Sequence, residues 1–328
     1  RIIKEAFHLA STGRPGPVHV DIPKDITAQI GEFIYPSEVN MPTYKPTLNY
    51  NKKQLKRAME AISNAKKPLL YIGGGAILSN CGYEIRDLAK KLNIPAVETL
   101  MARGVMGDEN PLFFGMLGMH GEYAANMAAH ETDLLISLGA RFDDRVTGRL
   151  DEFASKAKVI HVDIDPTSIA KLVVADYPIV GDLKLTVQAM IEDAENYEIN
   201  DFSNWVELLK DYREKEPLRY IDTDDLIKPQ WPIQRVGKIL GDNAIISTDV
   251  GQHQMWTAQF FPFSYPRQWI TSGGLGTMGF GLPAALGAAR AFKGTNRVVV
   301  NFTGDGSILM NIQELMTCSE YELPVINI

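Results

Sequence analysis

The segment Val298–Ser307 reads VVVNFTGDGS. A strand-like apolar run delivers Gly304, Asp305 and Gly306 into a tight turn, followed by an amphipathic helical pattern through Ile312 to Cys318. Backbone N–H groups in such a turn, Ser307 included, can face an anion while the Asp305 carboxylate holds a cation. A diphosphate with Mg²⁺ suits that geometry, although a plain hairpin or strand-to-helix loop uses the same residues. Upstream, Val250, Gly251, Gln252 and His253 stand where the strand AIISTDVG enters the helix QHQMWTAQF, another place where a helix N-terminus can meet an anion. A third group lies in SLGARFDDRVTG, Ser137–Gly148. There Arg141 and Arg145 can meet phosphate, and acidic residues at later strand ends, Asp163 and Asp182, can accept hydroxyl or amino donors. Taken alone, the Arg/Asp cluster with Asp143 reads more often as a solvated ion-pair network than as a phosphate site.

Elements able to position these residues follow from the hydrophobic pattern. Between Asn51 and about Asn200, the apolar runs PLLYIGG, IPAVETL, DLLISLG and KVIHVDID alternate with helical segments such as Glu84–Lys91, which predicts a parallel sheet covered by helices. Each run ends in glycine or acidic residues, at the edge where such sheets bind ligands. No GxGxxG fingerprint is present. After a polar, acidic stretch from Asn200 to Lys228, a second α/β unit is expected: helix WPIQRVGKIL, strand AIISTDVG, helix QHQMWTAQF, a glycine-rich turn and helix, strand RVVVNF, a final helix and strand LPVINI. The first thirty residues read as a helix, a loop at Gly13–Pro17 and a short strand, VHVDIP, followed by a proline-punctuated linker at 31–50.

Bulk properties narrow the function classes. The 328 residues carry a formal net charge of −7, 45% hydrophobic and 22% charged residues, the proportions of a globular protein with no basic footprint for nucleic acid. Cys81 and Cys318 have neither a CxxC nor a zinc-ligand spacing, so a reducing compartment is expected. Gln268–Ala289 is uncharged and long enough to span a bilayer, but its six glycines and Pro283 favour a turn and a tightly packed helix. Membrane insertion is therefore not expected, nor is an export signal, and the chain is expected to be cytoplasmic if bacterial or organellar if eukaryotic.

Together, VVVNFTGDGS, the string TDVGQHQMW at Thr248–Trp256 and SGGLGTMGFGLP at Ser272–Pro283 resemble the thiamine-diphosphate enzymes, and within them the acetohydroxyacid (acetolactate) synthase family. The resemblance implies an α/β fold with a central Rossmann-like FAD-binding domain and part of a thiamine-diphosphate-binding domain. It implies that the Gly276 carbonyl receives the aminopyrimidine amino group and that Met278 bends the cofactor; an isolated Met would more often be core, but an unbranched, polarizable side chain fits between two rings. Val250 to His253, with Gly304, Gly306 and Ser307, would surround the diphosphate, and Asp305 would ligate Mg²⁺. The asparagines closing that motif would fall a few residues past Ile328.

By the same resemblance, an extended FAD would be lined by Gly74, Gly75, Thr99, Leu100, Met119, His120, Gly139, Ala140, Arg141, Asp143, Arg145 and Val146. RPGPVHVDIPKD would end a pyrimidine-binding domain, with Arg14 near the flavin and Lys24 near the substrate channel. The implied layout is 1–30 tail of the pyrimidine-binding domain, 31–50 linker, 51–200 FAD-binding domain, 201–228 linker and 229–328 part of the diphosphate-binding domain. The implied reaction decarboxylates pyruvate and joins it to pyruvate or 2-ketobutyrate, in branched-chain amino acid biosynthesis. Expected partners are those ketoacids, further copies in a homodimer or tetramer, and a regulatory small subunit. The family's general acid/base glutamate has no counterpart here, so the chain alone is expected to lack synthase activity. Another thiamine-dependent carboligase or 2-ketoacid decarboxylase, and a non-catalytic FAD-binding module, remain as alternatives.

Overall fold

A computed structural model describes all 328 residues. Six strands form the first sheet: β1 Pro68–Ile72, β2 Ala96–Glu98, β3 Phe113–Met116, β4 Leu134–Leu138, β5 Lys158–Asp163 and β6 Tyr177–Val180. Their order is β3-β2-β1-β4-β5-β6 and every pairing is parallel. The runs PLLYI and LLISL are buried at every position, as expected of central parallel strands covered on both faces. Helix Lys52–Asn64 buries Leu55, Ala58, Met59 and Ile62, a spacing of three and four that makes one stripe, and the Asn51 side chain caps its start. Helix Gly82–Leu92 buries Ile85, Leu88, Ala89 and Leu92 and stops at Asn93, whose φ of 52° lies in the left-handed region.

The second sheet comprises β7 Ala244–Thr248, β8 Trp269–Thr271, β9 Val298–Phe302 and β10 Val325–Asn327, parallel throughout, in the order β10-β9-β7-β8. Its faces are covered separately. On one side Ile245 and Val299 pack with Leu282, Ala285 and Leu286 of helix Gly281–Ala291. On the other, Ile246 and Val300 pack with Ile233, Phe260, Phe261 and Phe263. The apolar stretch from Gln268 thus divides into a short edge strand and an eleven-residue helix, and no helix is long and apolar enough to cross a membrane.

Four sequence expectations are corrected. The stretch 201–228, read as a linker, contains helix Ser203–Lys215, which buries Trp205, Val206 and Leu209 in the core of the first sheet. Trp205 Nε1 donates to the Pro68 carbonyl at the start of β1, 3.0 Å away. VHVDIP joins neither sheet, because no strand of either runs beside it to supply ladder partners. The helix expected through Ile312–Cys318 is broken into Asp305–Met310 and Glu314–Glu320 at Asn311, whose side-chain amide donates to the Gly279 carbonyl at 2.6 Å. Strands β3, β6 and β8 were not anticipated: they are short, and Gly115 in β3 and Pro178 in β6 suit edge strands rather than central ones.

Because Trp205 is core, Trp205→Ala should lower the unfolding free energy by about 3–5 kcal/mol in urea denaturation. A loss below about 0.5 kcal/mol would return this helix to the status of a linker.

Candidate functional site

Where β1 and β4 lie side by side, the chain leaves the two strands toward opposite edges of the sheet, the arrangement that opens a crevice beyond the strands' carboxyl ends. Two backbones meet there. Gly73 N donates to the Leu138 carbonyl and Gly75 N to the Gly139 carbonyl, each at 3.0 Å. A Cβ on Gly75 would lie 2.7 Å from Gly139 Cα, and Gly139 itself adopts φ +67°, so glycine is required on both sides of the approach.

The crevice widens into a cavity of about 1100 Å³. Its walls contain every residue that the resemblance assigned to FAD: Gly74, Gly75, Thr99, Leu100, Met119, His120, Gly139, Ala140, Arg141, Asp143, Arg145 and Val146, together with Arg14, Asp163 and Asp182. Apart from Arg14, which follows the first helix, they come from the carboxyl ends of all six strands of the first sheet. The second sheet contributes Val250, Gly251, Gln252 and Gly276, so the carboxyl ends of both sheets face one space.

The charges are arranged by hydrogen bonds. Arg14 Nη1 bonds Asp165 Oδ2 at 2.8 Å and Ser168 Oγ at 3.3 Å, drawing the N-terminal segment onto the rim. Partial burial opposes ionisation of Asp165, but bonds from Thr167 and Arg14 outweigh it and hold this carboxyl at about 2. Burial raises the Asp163 carboxyl, offset in part by the Asp165 N–H. Asp143 and Asp182 both accept from backbone N–H groups at helix starts, Arg145 N and Leu185 N, which leaves their remaining lone pairs for a ligand. Arg141 reaches only Asp143, at 3.4 Å, and the Arg145 side chain has no protein partner, so two exposed guanidinium groups stand on one wall.

Three loops of the second sheet converge beside this space. His253 sits between the first and third: a Cβ on Gly251 would lie 3.1 Å from its Nδ1 and one on Gly304 3.3 Å away. Its Nε2 is buried without a protein partner, and burial lowers its basicity against the pull of Asp249. Met278 stands over the GDG turn, with its methyl 3.6 Å from where a Gly306 Cβ would be, and Gly276 has φ +67°. Asp305 and Gly306 are exposed and Ser307 is buried. Lys24 is not drawn in; it starts a one-turn helix, exposed, away from the cavity walls.

Two groups that organise the site were missed in the sequence. Fully buried Asp249 accepts from Gly281 N at 2.9 Å and Thr303 Oγ1 at 2.8 Å, tying the ends of β7 and β9 to the helix after the glycine-rich turn. TDVG contained it, but only the neighbouring residues looked available to a ligand. Arg103, also buried, bonds both oxygens of Asp108 (2.8 and 2.9 Å), Glu98 Oε2 (3.2 Å) and the Ala258 carbonyl of the second unit (3.0 Å). Burial pushes Glu98 up to about 7 even though Arg103 and the N–H groups of Met106 and Gly104 favour its charged form. This group fixes the loop after β2 to the helix after β7, and so the two sides of the cavity to each other.

The family model of the thiamine pyrophosphate enzyme central domain matches residues 55–190, and that of the C-terminal TPP binding domain matches 249–328. The chain is 45% identical to the acetolactate synthase isozyme 3 large subunit of Escherichia coli, with 99% of this chain and 58% of that protein covered. It is 46% identical to the acetolactate synthase large subunit of Haemophilus influenzae (99% and 57%) and to the acetolactate synthase of Mycobacterium leprae (99% and 52%). The chain thus spans a little over half the length of these relatives.

Removing the Arg103 charge while keeping its bulk leaves the buried Glu98 and the partly exposed Asp108 without their cation. Arg103→Met should therefore cost about 3–5 kcal/mol in chemical denaturation. An unchanged midpoint would show that the two units are held together by other contacts.

Proposed function

The chain belongs to the thiamine pyrophosphate (thiamine diphosphate) enzymes and is similar over nearly its whole length to acetolactate synthase large subunits, and from this premise we propose that it serves as a catalytic subunit of that kind. The proposed reaction is decarboxylation of pyruvate and addition of the resulting two-carbon unit to a second 2-ketoacid, pyruvate or 2-ketobutyrate. When bound, thiamine diphosphate supplies the electron sink that decarboxylation requires. The relatives named as large subunits support a regulatory small subunit as partner, and a homodimer or tetramer belongs to the same reading.

The observation that carries the proposal is the single cavity facing the carboxyl ends of both sheets. Its size, at the top of the range for small-molecule sites, suits an extended dinucleotide. We assign it to FAD: the glycine approach admits a backbone-hugging ligand, Arg141 and Arg145 meet its phosphates, and Asp163, Asp182 and Thr99 receive its hydroxyl and amino groups. Arg14, already fixed by Asp165, closes one end.

For thiamine diphosphate, the fit rests on the orphaned His253 Nε2 and the glycines packed around that ring, which leave N–H groups clear toward an anion. Burial disfavours a charge on His253, and its orphaned Nε2 would take part in a hydrogen bond there. Gly276 would accept from the aminopyrimidine, Met278 would support the ring system, and the exposed Asp305 would hold Mg²⁺. No residue of this chain is assigned as the general acid/base, and Lys24 keeps only a proposed place near the substrate.

Titrating the purified chain with FAD should quench flavin fluorescence at saturation, and Arg141→Ala with Arg145→Ala should weaken binding at least tenfold, the loss of charge-assisted bonds worth about 1.5–3 kcal/mol each. Calorimetric heat from thiamine diphosphate with Mg²⁺ that disappears in Asp305→Asn would support the second site. FAD binding with no thiamine response in any form would favour the non-catalytic flavin module, and absence of both would defeat the proposal.

A further inference from the structure

Across the middle of the first sheet, Tyr71 of β1 is the register partner of Ser137 of β4, and Ser137 that of His161 of β5. In a parallel sheet register partners point to the same face, so three polar side chains form one row. Their neighbours are apolar: Val97 beside Tyr71 and Pro178 beside His161. All three residues are fully buried. Nevertheless Tyr71 OH, Ser137 Oγ and His161 Nδ1 have no hydrogen-bond partner in the protein. One such atom could be strain; three in adjacent register positions form a coherent polar surface that burial would penalise unless something satisfies it.

The donor and acceptor pattern specifies the occupant. His161 Nε2 lies 3.0 Å from the Ala140 carbonyl, which can only accept, so Nε2 carries the proton. Burial lowers the imidazole to about 4, so near neutral pH the ring has a single proton and Nδ1 presents a bare lone pair. Burial also raises the Tyr71 phenol, which stays protonated as a donor. Phe142 closes the row from above, its ring 5.0 Å from His161 and 5.5 Å from Tyr71 between centroids. A small molecule that both donates and accepts matches this pattern.

We infer that Tyr71, Ser137 and His161 form an internal water-binding site, in which ordered water donates to His161 Nδ1 and accepts from a hydroxyl of the row. The site lies one pleat below Gly73 and Gly139, and Tyr71 belongs to the cavity wall, so bound water extends the polar floor of the cavity into the sheet. It also has a positioning effect. Water on Nδ1 keeps the ring in the form that donates to Ala140, and thereby holds the loop after β4 that forms the crevice wall.

A crystal structure of the full chain, at a resolution where waters are refined, tests this without any variant. The expected result is a water within about 2.7–3.2 Å of His161 Nδ1 and of Tyr71 OH or Ser137 Oγ. A row with no water, whether the side chains pair directly or remain unpaired, would overturn the inference. Long-range ¹⁵N–¹H spectra of histidine-labelled protein give a second readout: His161 should be neutral with the proton on Nε2, and a proton on Nδ1 would contradict the site because its acceptor would be gone.

Discussion

The close approach of two backbones at the ends of β1 and β4 is the constraint on which the rest of the molecule depends. With a side chain at Gly75, the backbone of Gly139 would have to move, and the bonds from Gly73 and Gly75 to the β4 end would be lost together. Those bonds determine where the loops after both strands begin, and the loops carry Arg141, Asp143 and Arg145 on one side and Gly74 on the other. The crevice exists because β1 and β4 send the chain in opposite directions, but it has a defined width because glycine lets the two loops lock at their base. Helices, outer strands and the second sheet all extend or enclose this opening.

The second sheet would be of little use to that cavity if it could rotate freely. One tie that orients it is a buried charge group in which Arg103 spans Glu98, Asp108 and the Ala258 carbonyl, beside bonds such as Arg86 to the Ser264 carbonyl and Arg267 to the Ile77 carbonyl. Buried ion pairs of this kind add little net stability relative to apolar packing, yet breaking one is expensive, so they favour a single geometry over near alternatives. Asp249 has an equivalent role within the second sheet, where one carboxylate ties the ends of β7 and β9 to the helix starting at Gly281. Three acids and one arginine thus relate the crevice of the first sheet to the loops around His253, Met278 and Asp305.

The central strands β1, β2, β4 and β5 could be read from the sequence because strands covered on both faces are continuously apolar, and the motif strings stood at their ends. The edge strands of the first sheet were not legible: β6 holds Pro178 and β3 holds Gly115, residues that look like breaks until an edge position excuses them. Helix Ser203–Lys215 was hidden by its charged outer face, since only Trp205, Val206 and Leu209 are buried. Most cavity-lining residues were accessible because they follow strands, whereas the bonds of Arg103 to the Ala258 carbonyl and of Asp249 to Gly281 and Thr303 were not, because those partners lie far away in the chain. The row Tyr71–Ser137–His161 is invisible in sequence for a related reason: each residue is a lone polar group in an apolar run until register aligns them.

The central claim is that the carboxyl ends of both sheets form one ligand cavity. Hydrogen–deuterium exchange of the chain with and without FAD tests it most directly. Slowed exchange is expected at 73–75, 99–101, 139–146 and 163–164 in the first sheet, and at 250–255 and 272–276 in the second. Protection confined to one sheet, or lying away from these strand ends, would contradict a shared cavity.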